Sequence, residues 1–152
     1  MAGQHLIFPN YEFRTRKAEN AIEIWDEWRK KWLVLTPEEL VRQHLVKYLV
    51  EGKSFPAGRL ALEYSLKVNT LSKRADVVFF SKEGVPLVLM ECKAPDVPIT
   101  SSTFDQASRY NLSLQVPHLI ITNGLDLYFA SFNEEQKKWD FKNEIPSHID
   151  LE

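Results

Sequence analysis

Residues 73–95 read KRADVVFFSKEGVPLVLMECKAP and carry the strongest structural signal in the chain. Two apolar runs, at 75–80 and 87–90, flank a polar segment that contains Gly84 and Pro86. Glycine and proline are the residues that most often mark turns, and short apolar runs on either side of a turn are typical of paired strands. The stretch therefore predicts a β-hairpin.

Three charged residues lie at the ends of these runs. Side chains two positions apart in a strand share a face, so Glu91 and Lys93 are neighbours, while Cys92 points to the opposite face. A hairpin brings Asp76 alongside them. Charged side chains are rarely placed in a core unless they are paired or bind a metal, because removing them from water is costly. The pattern leaves two interpretations, an ion-paired cluster that closes the sheet end and a metal site.

Composition restricts the class of protein. The chain has 152 residues, of which 44% are hydrophobic and 26% charged, which predicts one ordinary globular domain. No apolar run approaches the 18 or so residues that cross a bilayer, and the N-terminus lacks a signal pattern, so we expect a cytoplasmic protein. The single cysteine excludes an internal disulfide, and the spacing of the four histidines does not favour a zinc site. The net charge of -2 excludes a basic field over the whole protein as the basis of nucleic-acid affinity.

The segments before the hairpin predict a strand pair, a helix and a strand. Alternation at 22–25 and an apolar run at 32–35 favour a β-hairpin, although a helix is also compatible. Thr36, Pro37 and Glu39 match a capping box with proline in the first turn, so a helix should begin there and end at Gly52. Residues 60–68 then alternate as a strand in which even-numbered side chains share one face.

The segments after the hairpin predict a helix and two strands. Ser102 and Asp105 resemble a capping box, which predicts a helix over 102–114. Residues 118–122 form a continuous apolar run of the buried parallel type, Asn123 and Gly124 favour a tight turn, and 125–132 should return as a strand. We therefore expect an α/β fold with a mixed sheet flanked by helices, in which 1–35 is an N-terminal hairpin extension packed on the core, 36–132 the core domain, and 133–152 a peripheral polar tail.

The order of the charged motifs resembles a known superfamily. Asp76, the pair Glu91 and Lys93, and then Gln106 and Tyr110 four residues apart resemble the PD-(D/E)xK nucleases, with Ala75 in place of the proline. A closer resemblance is to the N-terminal nuclease domain of type I restriction enzyme R (motor) subunits. It rests on six short segments over 36–132: PEELVRQ at 37–43, KRAD at 73–76, ECKAP at 91–95, FDQ at 104–106, RYN at 109–111 and TNG at 122–124.

This resemblance implies a restriction-endonuclease-like core with the element order α-β-β-β-α-β. It also implies a Mg²⁺-dependent DNA endonuclease, in which Mn²⁺ can substitute and which acts with restriction-modification subunits. Hard Mg²⁺ prefers oxygen ligands, which Asp76 and Glu91 would supply. The resemblance adds the backbone carbonyl of Cys92 as a third ligand, and Glu63 and Glu39 compete as a further acidic residue.

The remaining site residues would act on the reacting groups. Lys93 would orient the attacking water or stabilise the charge that develops on the phosphate, while Gln106 and Tyr110 would position the phosphate or the water. The alternative is a catalytically inactive nuclease-fold module for DNA binding or subunit assembly. The sequence contains no Gly-x-x-x-x-Gly-Lys-Ser/Thr motif, so we expect no ATP-driven motor in this chain.

Overall fold

The computed structural model describes residues 5–152 and contains two sheets and two α-helices. The smaller sheet is antiparallel and has the order β1-β2-β3. Its strands are β1 (Thr15–Lys17), β2 (Ile22–Asp26) and β3 (Lys31–Val34). The larger sheet has six strands in sequence order, β4 (Leu60–Val68), β5 (Leu71–Phe80), β6 (Pro86–Cys92), β7 (His118–Thr122), β8 (Leu127–Asn133) and β9 (Lys138–Lys142). The helices are α1 (Pro37–Lys47) and α2 (Ser101–Leu114).

The large sheet is mixed and carries a hydrophobic cluster on each face. The pair β6 and β7 is parallel, whereas the other neighbouring strands are antiparallel. Met90 belongs to a cluster that includes Val41 and Leu45 of α1, which we call the α1-side cluster. Leu89, the next residue back, belongs to the α2-side cluster, against which Tyr110 packs. The prediction of a mixed sheet flanked by helices is confirmed.

The start of α1 follows from its capping residues. The Thr36 hydroxyl accepts a hydrogen bond from the backbone N–H of Glu39 at 3.0 Å, which satisfies one of the free donors of the first turn. Glu39 does not complete the capping box, because its carboxylate turns towards Arg42 instead. A π-helical turn over Tyr48–Gly52 continues the helix to Gly52, where the sequence predicted its end.

The N-cap of α2 differs from the predicted one. The helix begins after Thr100, whose backbone N–H donates to the Thr103 hydroxyl at 3.2 Å, and Ser102 lies inside the first turn. Both Thr100/Thr103 and Ser102/Asp105 have the three-residue spacing of a capping box, so spacing alone did not separate them. At the other end, Asn111 holds Val116 through two hydrogen bonds of 2.8 and 2.9 Å.

The two ends of the chain are more extensively folded than their polarity predicts. The hairpin of residues 22–35 is confirmed, with Trp25 opposite Trp32, and β1 adds a third strand. The prediction of a peripheral tail after 133 is corrected, because β9 pairs with β8 and both Ile145 and Leu151 are buried in the α1-side cluster. β9 is a mostly exposed edge strand in which Trp139 and Phe141 alternate with charged residues. Among the residues that the structure describes, no helix is long and apolar enough to cross a membrane.

Candidate metal centre

The register of β5 and β6 places Asp76 beside Glu91. The two strands are antiparallel with Val77 opposite Met90, so the next residue on each strand faces the other. Asp76 Oδ2 accepts a hydrogen bond from the backbone N–H of Cys92 at 2.7 Å. The predicted meeting of the two carboxylates at one end of the hairpin is therefore confirmed.

A backbone irregularity lies next to this site. Glu63 has a φ of 55°, in the left-handed region that only glycine adopts readily, and it lies opposite Asp76 between two regular strand pairs. Leu62 packs against the α1-side cluster, whereas Tyr64 packs against the α2-side cluster. The prediction that all even-numbered side chains of β4 share one face is therefore wrong at Glu63, where the strand reverses its faces.

The same reversal occurs in β5 at Asp76. Val77 belongs to the α1-side cluster and Ala75 to the α2-side cluster, although side chains two apart in a regular strand share a face. Asp76 thus lies where the alternation changes, and it is directed at groups from two elements, Cys92 of β6 and Arg42 of α1. The paired irregularity gives the carboxylate its orientation.

Arg42 is the main partner of the acidic residues near this site. Its Nη1 atom donates to Asp76 Oδ1 at 2.9 Å and also to Glu63. Its Nη2 and Nε atoms donate to the carboxylate of Glu39 at 2.7 and 3.2 Å. Both residues considered as additional metal ligands, Glu39 and Glu63, are thus held by Arg42.

The charged network continues into the small sheet. Arg29 is ion-paired with Asp26 and donates to Glu39 Oε2 at 3.1 Å. Gln43 donates to Asp26 and Glu39 at 3.1 and 3.0 Å. Sequence reasoning named Glu39 as a possible metal ligand but predicted no role for Asp26, Arg29 or Arg42 at the site. Glu39 and Arg42 stand three apart on a helix, a spacing at which opposite charges pair, and that was the available signal.

Glu91 is the least satisfied carboxylate of the site. Its side chain is 9% exposed, and its Oε1 atom is buried without a hydrogen-bond partner among the described residues. Burial, and then the adjacent negative charge of Asp76, raise the pKa of Glu91 to about 9. In the metal-free protein at neutral pH this side chain is therefore protonated.

Asp76 is also buried but has two donors. Burial raises the pKa of Asp76 above its ordinary value, although the Cys92 N–H and the Arg42 charge act in the opposite direction. Both of its oxygens accept hydrogen bonds, Oδ1 from Arg42 and Oδ2 from Cys92. The two carboxylates thus differ, since Asp76 is held in one orientation and Glu91 has a free buried oxygen.

Lys93 lies half-buried at the end of β6. Its backbone N–H donates to Thr122 O at 2.9 Å, which fixes this position beside β7. Its positive charge opposes the rise in the pKa of Glu91, so the two side chains interact through space. Its ammonium forms no ion pair with any residue in 5–152.

Gln106 and Tyr110 form a pair of their own on α2. Gln106 Nε2 donates to the Tyr110 hydroxyl at 3.3 Å, and this hydrogen bond is exposed to solvent. Within the described part of the chain, no hydrogen bond joins either of them to Asp76, Glu91 or Lys93. The structure thus gathers Asp76, Glu91, Cys92 and Lys93, and it leaves Gln106 and Tyr110 outside that group.

The donor set suits a hard divalent cation held by two carboxylates. An unpartnered buried carboxylate oxygen next to a second carboxylate is an arrangement that a cation stabilises, because it removes both the repulsion and the unmet hydrogen bond. Residues 5–152 contain no group of three or more His, Cys, Asp or Glu side chains arranged to hold a metal. The backbone carbonyl of Cys92, which the resemblance implies as a third ligand, is not a side-chain group of this kind and stays a prediction.

Comparison with known proteins agrees with this architecture. A fragment described as that of an HsdR subunit of a type I restriction enzyme from Vibrio vulnificus YJ016 superimposes with a TM-score of 0.58 at 17% identity, over 77% of this chain and 24% of that one. At that identity the likeness shows the fold, and this chain spans about a quarter of the other. No curated protein matches the sequence. The sequence model of the family described as type I restriction enzyme R protein N terminus matches residues 37–146. This match covers more than half of the chain, so the chain belongs to that family.

Proposed function

We propose that this chain is a Mg²⁺-dependent DNA endonuclease domain of the type I restriction R-subunit type, which hydrolyses phosphodiester bonds. The observation that supports it most is the unpartnered, buried Oε1 of Glu91 beside Asp76. A carboxylate pair of this kind is costly in a metal-free protein, and a divalent cation removes the cost. DNA and restriction-modification subunits are the proposed partners.

A restriction-endonuclease-like core of the PD-(D/E)xK type is part of this proposal. The run α1, β4, β5, β6, α2, β7 supports it, because this is the α-β-β-β-α-β order implied by the motifs. The parallel pairing of β6 and β7 across α2 also supports it, since Glu91 then lies next to the strand that follows the helix. Mn²⁺ is expected to replace Mg²⁺.

The site residues have two proposed roles. Some hold the cation, and the others act on the attacking water and on the DNA phosphates. Asp76, Glu91 and the Cys92 carbonyl would hold a divalent cation, which supplies Lewis-acid polarisation of phosphate oxygens when bound. Glu91 must first release its proton. Lys93 has a free ammonium beside Glu91 and would orient the attacking water or stabilise the negative charge that develops on the phosphate. Gln106 and Tyr110 would contact the DNA phosphates from α2.

The second candidate is a catalytically inactive module for DNA binding or subunit assembly. It is favoured by the ion pair of Asp76 with Arg42, which gives the acidic cluster a partner without any metal. The two candidates differ in what they require of Glu91. An inactive module gains nothing from a buried acidic side chain whose Oε1 atom receives no hydrogen bond, whereas a nuclease uses that atom to bind the metal.

A plasmid-nicking assay tests the proposal. Asp76→Ala and Glu91→Ala should each abolish Mg²⁺-dependent nicking while circular dichroism shows an unchanged fold, because each removes a proposed metal ligand together with the cost of burying an acidic group. Glu83→Ala is the matched control, since Glu83 is an exposed acid in the turn of the same hairpin, and it should nick at the wild-type rate. Nicking that survives in both site variants, or that persists in EDTA, contradicts the proposal.

A further inference from the structure

We propose that Arg42 is an internal cation that competes with the divalent metal for Asp76, and that it thereby sets the metal affinity of the site. The inference rests on the proposed function, since it concerns the same pair of carboxylates. It begins from the 2.9 Å hydrogen bond between Arg42 Nη1 and Asp76 Oδ1. A positioning residue in this place holds Asp76 while the metal is absent.

Arg42 brings a persistent positive charge to the site. Its side chain is 7% exposed and that of Asp76 is 14% exposed, so solvent screens the pair weakly. A guanidinium never loses its proton at working pH, so its positive charge persists beside Asp76 at any pH at which the enzyme is used. Two cations that share one carboxylate repel each other, and the divalent ion must bind against that repulsion.

Arg42 keeps other carboxylate partners when Asp76 binds a metal ion instead. Arg42 also donates to Glu39 through Nε and Nη2, and Nη1 itself is shared with Glu63. If the contact with Asp76 is lost, each of the three guanidinium nitrogens of Arg42 therefore still has a carboxylate partner. The rigid geometry of the guanidinium makes this possible, because it presents its donors in fixed directions to several acceptors at once.

The charged network around Asp76 and Arg42 contains more acidic than basic side chains. Four carboxylates, those of Asp26, Glu39, Glu63 and Asp76, are joined to three guanidinium groups, those of Arg29, Arg42 and Arg74. The network thus has a surplus of one negative charge, to which an ionised Glu91 beside Asp76 adds a second, so that the total equals the charge of one divalent cation. Only one of the guanidinium groups touches Asp76, so Arg42 and not Arg29 is the competitor.

The test measures Mn²⁺ affinity of the full chain by isothermal titration calorimetry without DNA. Arg42→Met should bind Mn²⁺ at least about tenfold more tightly than the wild type, because a positive charge next to the ion is removed. Arg42→Lys keeps the charge and should stay within about threefold of the wild type. A purely structural role for Arg42 predicts weaker binding in both variants.

Arg29→Met is the matched control. It removes the same charge from the same network, at a side chain that is 16% exposed and that contacts Asp26 and Glu39 but not Asp76. Its Mn²⁺ affinity should stay within about threefold of the wild type. If Arg42→Met fails to fold, the double variant Glu39→Gln with Arg42→Met removes an ion pair instead of a single charge and should fold and bind Mn²⁺ more tightly.

The outcomes separate this inference from the proposed function. If Asp76→Asn abolishes Mn²⁺ binding but the Arg42 variants bind no more tightly than the wild type, the inference on Arg42 is wrong and the metal site stands. If Mn²⁺ binding is indifferent to Asp76→Asn, the metal site is wrong and the inference falls with it. An Arg29→Met variant that gains as much affinity as Arg42→Met also contradicts the inference, because the effect is then one of general charge.

Discussion

Two carboxylates that look equivalent in the sequence have different surroundings in the structure. Sequence reasoning predicted that Asp76 and Glu91 meet, because strand period and hairpin geometry require it. It could not predict that Asp76 has a donor on each oxygen while Glu91 Oε1 has none, since Arg42 is 34 residues from Asp76 and no local pattern links them. The catalytic interpretation depends on this difference.

Glu91 makes the stability of the metal-free chain depend on pH. Its pKa rises from the ordinary 4.5 to about 9, so the folded chain keeps a proton that the unfolded chain releases. This stabilising contribution is complete below about pH 4.5 and is lost as the pH rises through about 9. Glu91→Gln should therefore raise the melting temperature by about 4 °C or more at pH 8 and change it little at pH 5, as measured by calorimetry. An equal change at both pH values would contradict the burial of a titrating Glu91.

Lys93 should separate chemistry from metal binding. Its ammonium is free of ion pairs in the described residues, so its removal costs little stability, and Lys93→Ala should keep its Mg²⁺ affinity. Its nicking rate should fall by about a hundredfold or more, because a group that orients water or stabilises developing charge is lost. Lys82→Ala, an exposed lysine in the hairpin turn, is the control. Undiminished nicking by Lys93→Ala rules out its catalytic role.

Strong local patterns predicted most elements, and the misses have physical causes. The hairpin of β5 and β6, the Thr36 cap and the parallel β7 follow from turn residues, capping spacing and continuous apolar runs. The reversal at Glu63 was missed because a glutamate in left-handed backbone carries no sequence signature, unlike glycine. β9 was missed although Trp139 and Phe141 alternate with charged residues, because this short period-2 pattern lies within an otherwise polar tail.

The turn between β7 and β8 depends on Gly124. Its φ is 85°, and an added Cβ would lie 2.8 Å from Leu6 Cδ2 and 3.1 Å from Val41 Cγ2. Gly124→Ala should lower the free energy of unfolding by about 1–3 kcal/mol in urea titrations. Gly58→Ala is the matched control, since its Cβ meets nothing within 4 Å, and its effect should stay within about 0.5 kcal/mol. Equal effects at the two glycines would contradict the positive φ of Gly124 and its close contacts with Leu6 and Val41.

At the scale of the whole molecule, the two sheets are connected through charge. Asp26 at the end of β2 accepts a hydrogen bond from Gln43 of α1, and Arg29 in the turn after β2 donates to Glu39 of α1. Arg42, which also contacts Glu39, extends these contacts to Asp76. Residues 1–35 were predicted as a packed hairpin extension from their alternation alone. Their link to the candidate site could not be predicted, because it is made by long side chains whose partners lie in other elements.

The net charge of -2 predicts weak DNA binding by the isolated chain. Non-specific affinity grows with the number of phosphates that Lys and Arg neutralise, and the acidic site repels phosphate until a cation is bound. The dissociation constant should be on the order of micromolar or weaker at physiological salt, and Ca²⁺ should strengthen binding in fluorescence-anisotropy titrations. A nanomolar dissociation constant that is the same with and without the cation would identify the chain as a DNA-binding module instead.

Thermal melting with and without a divalent cation tests the central claim, that Asp76 and Glu91 form a metal site. A ligand that binds only the folded chain must stabilise it, by about 2.7 kcal/mol at one hundred times its dissociation constant. Mg²⁺ or Mn²⁺ should therefore raise the melting temperature of the wild type and of Glu83→Gln by about 5 °C or more. For Asp76→Asn and Glu91→Gln, the melting temperature should be the same with and without the cation. An equal rise in all four proteins, or none in the wild type, would contradict the account.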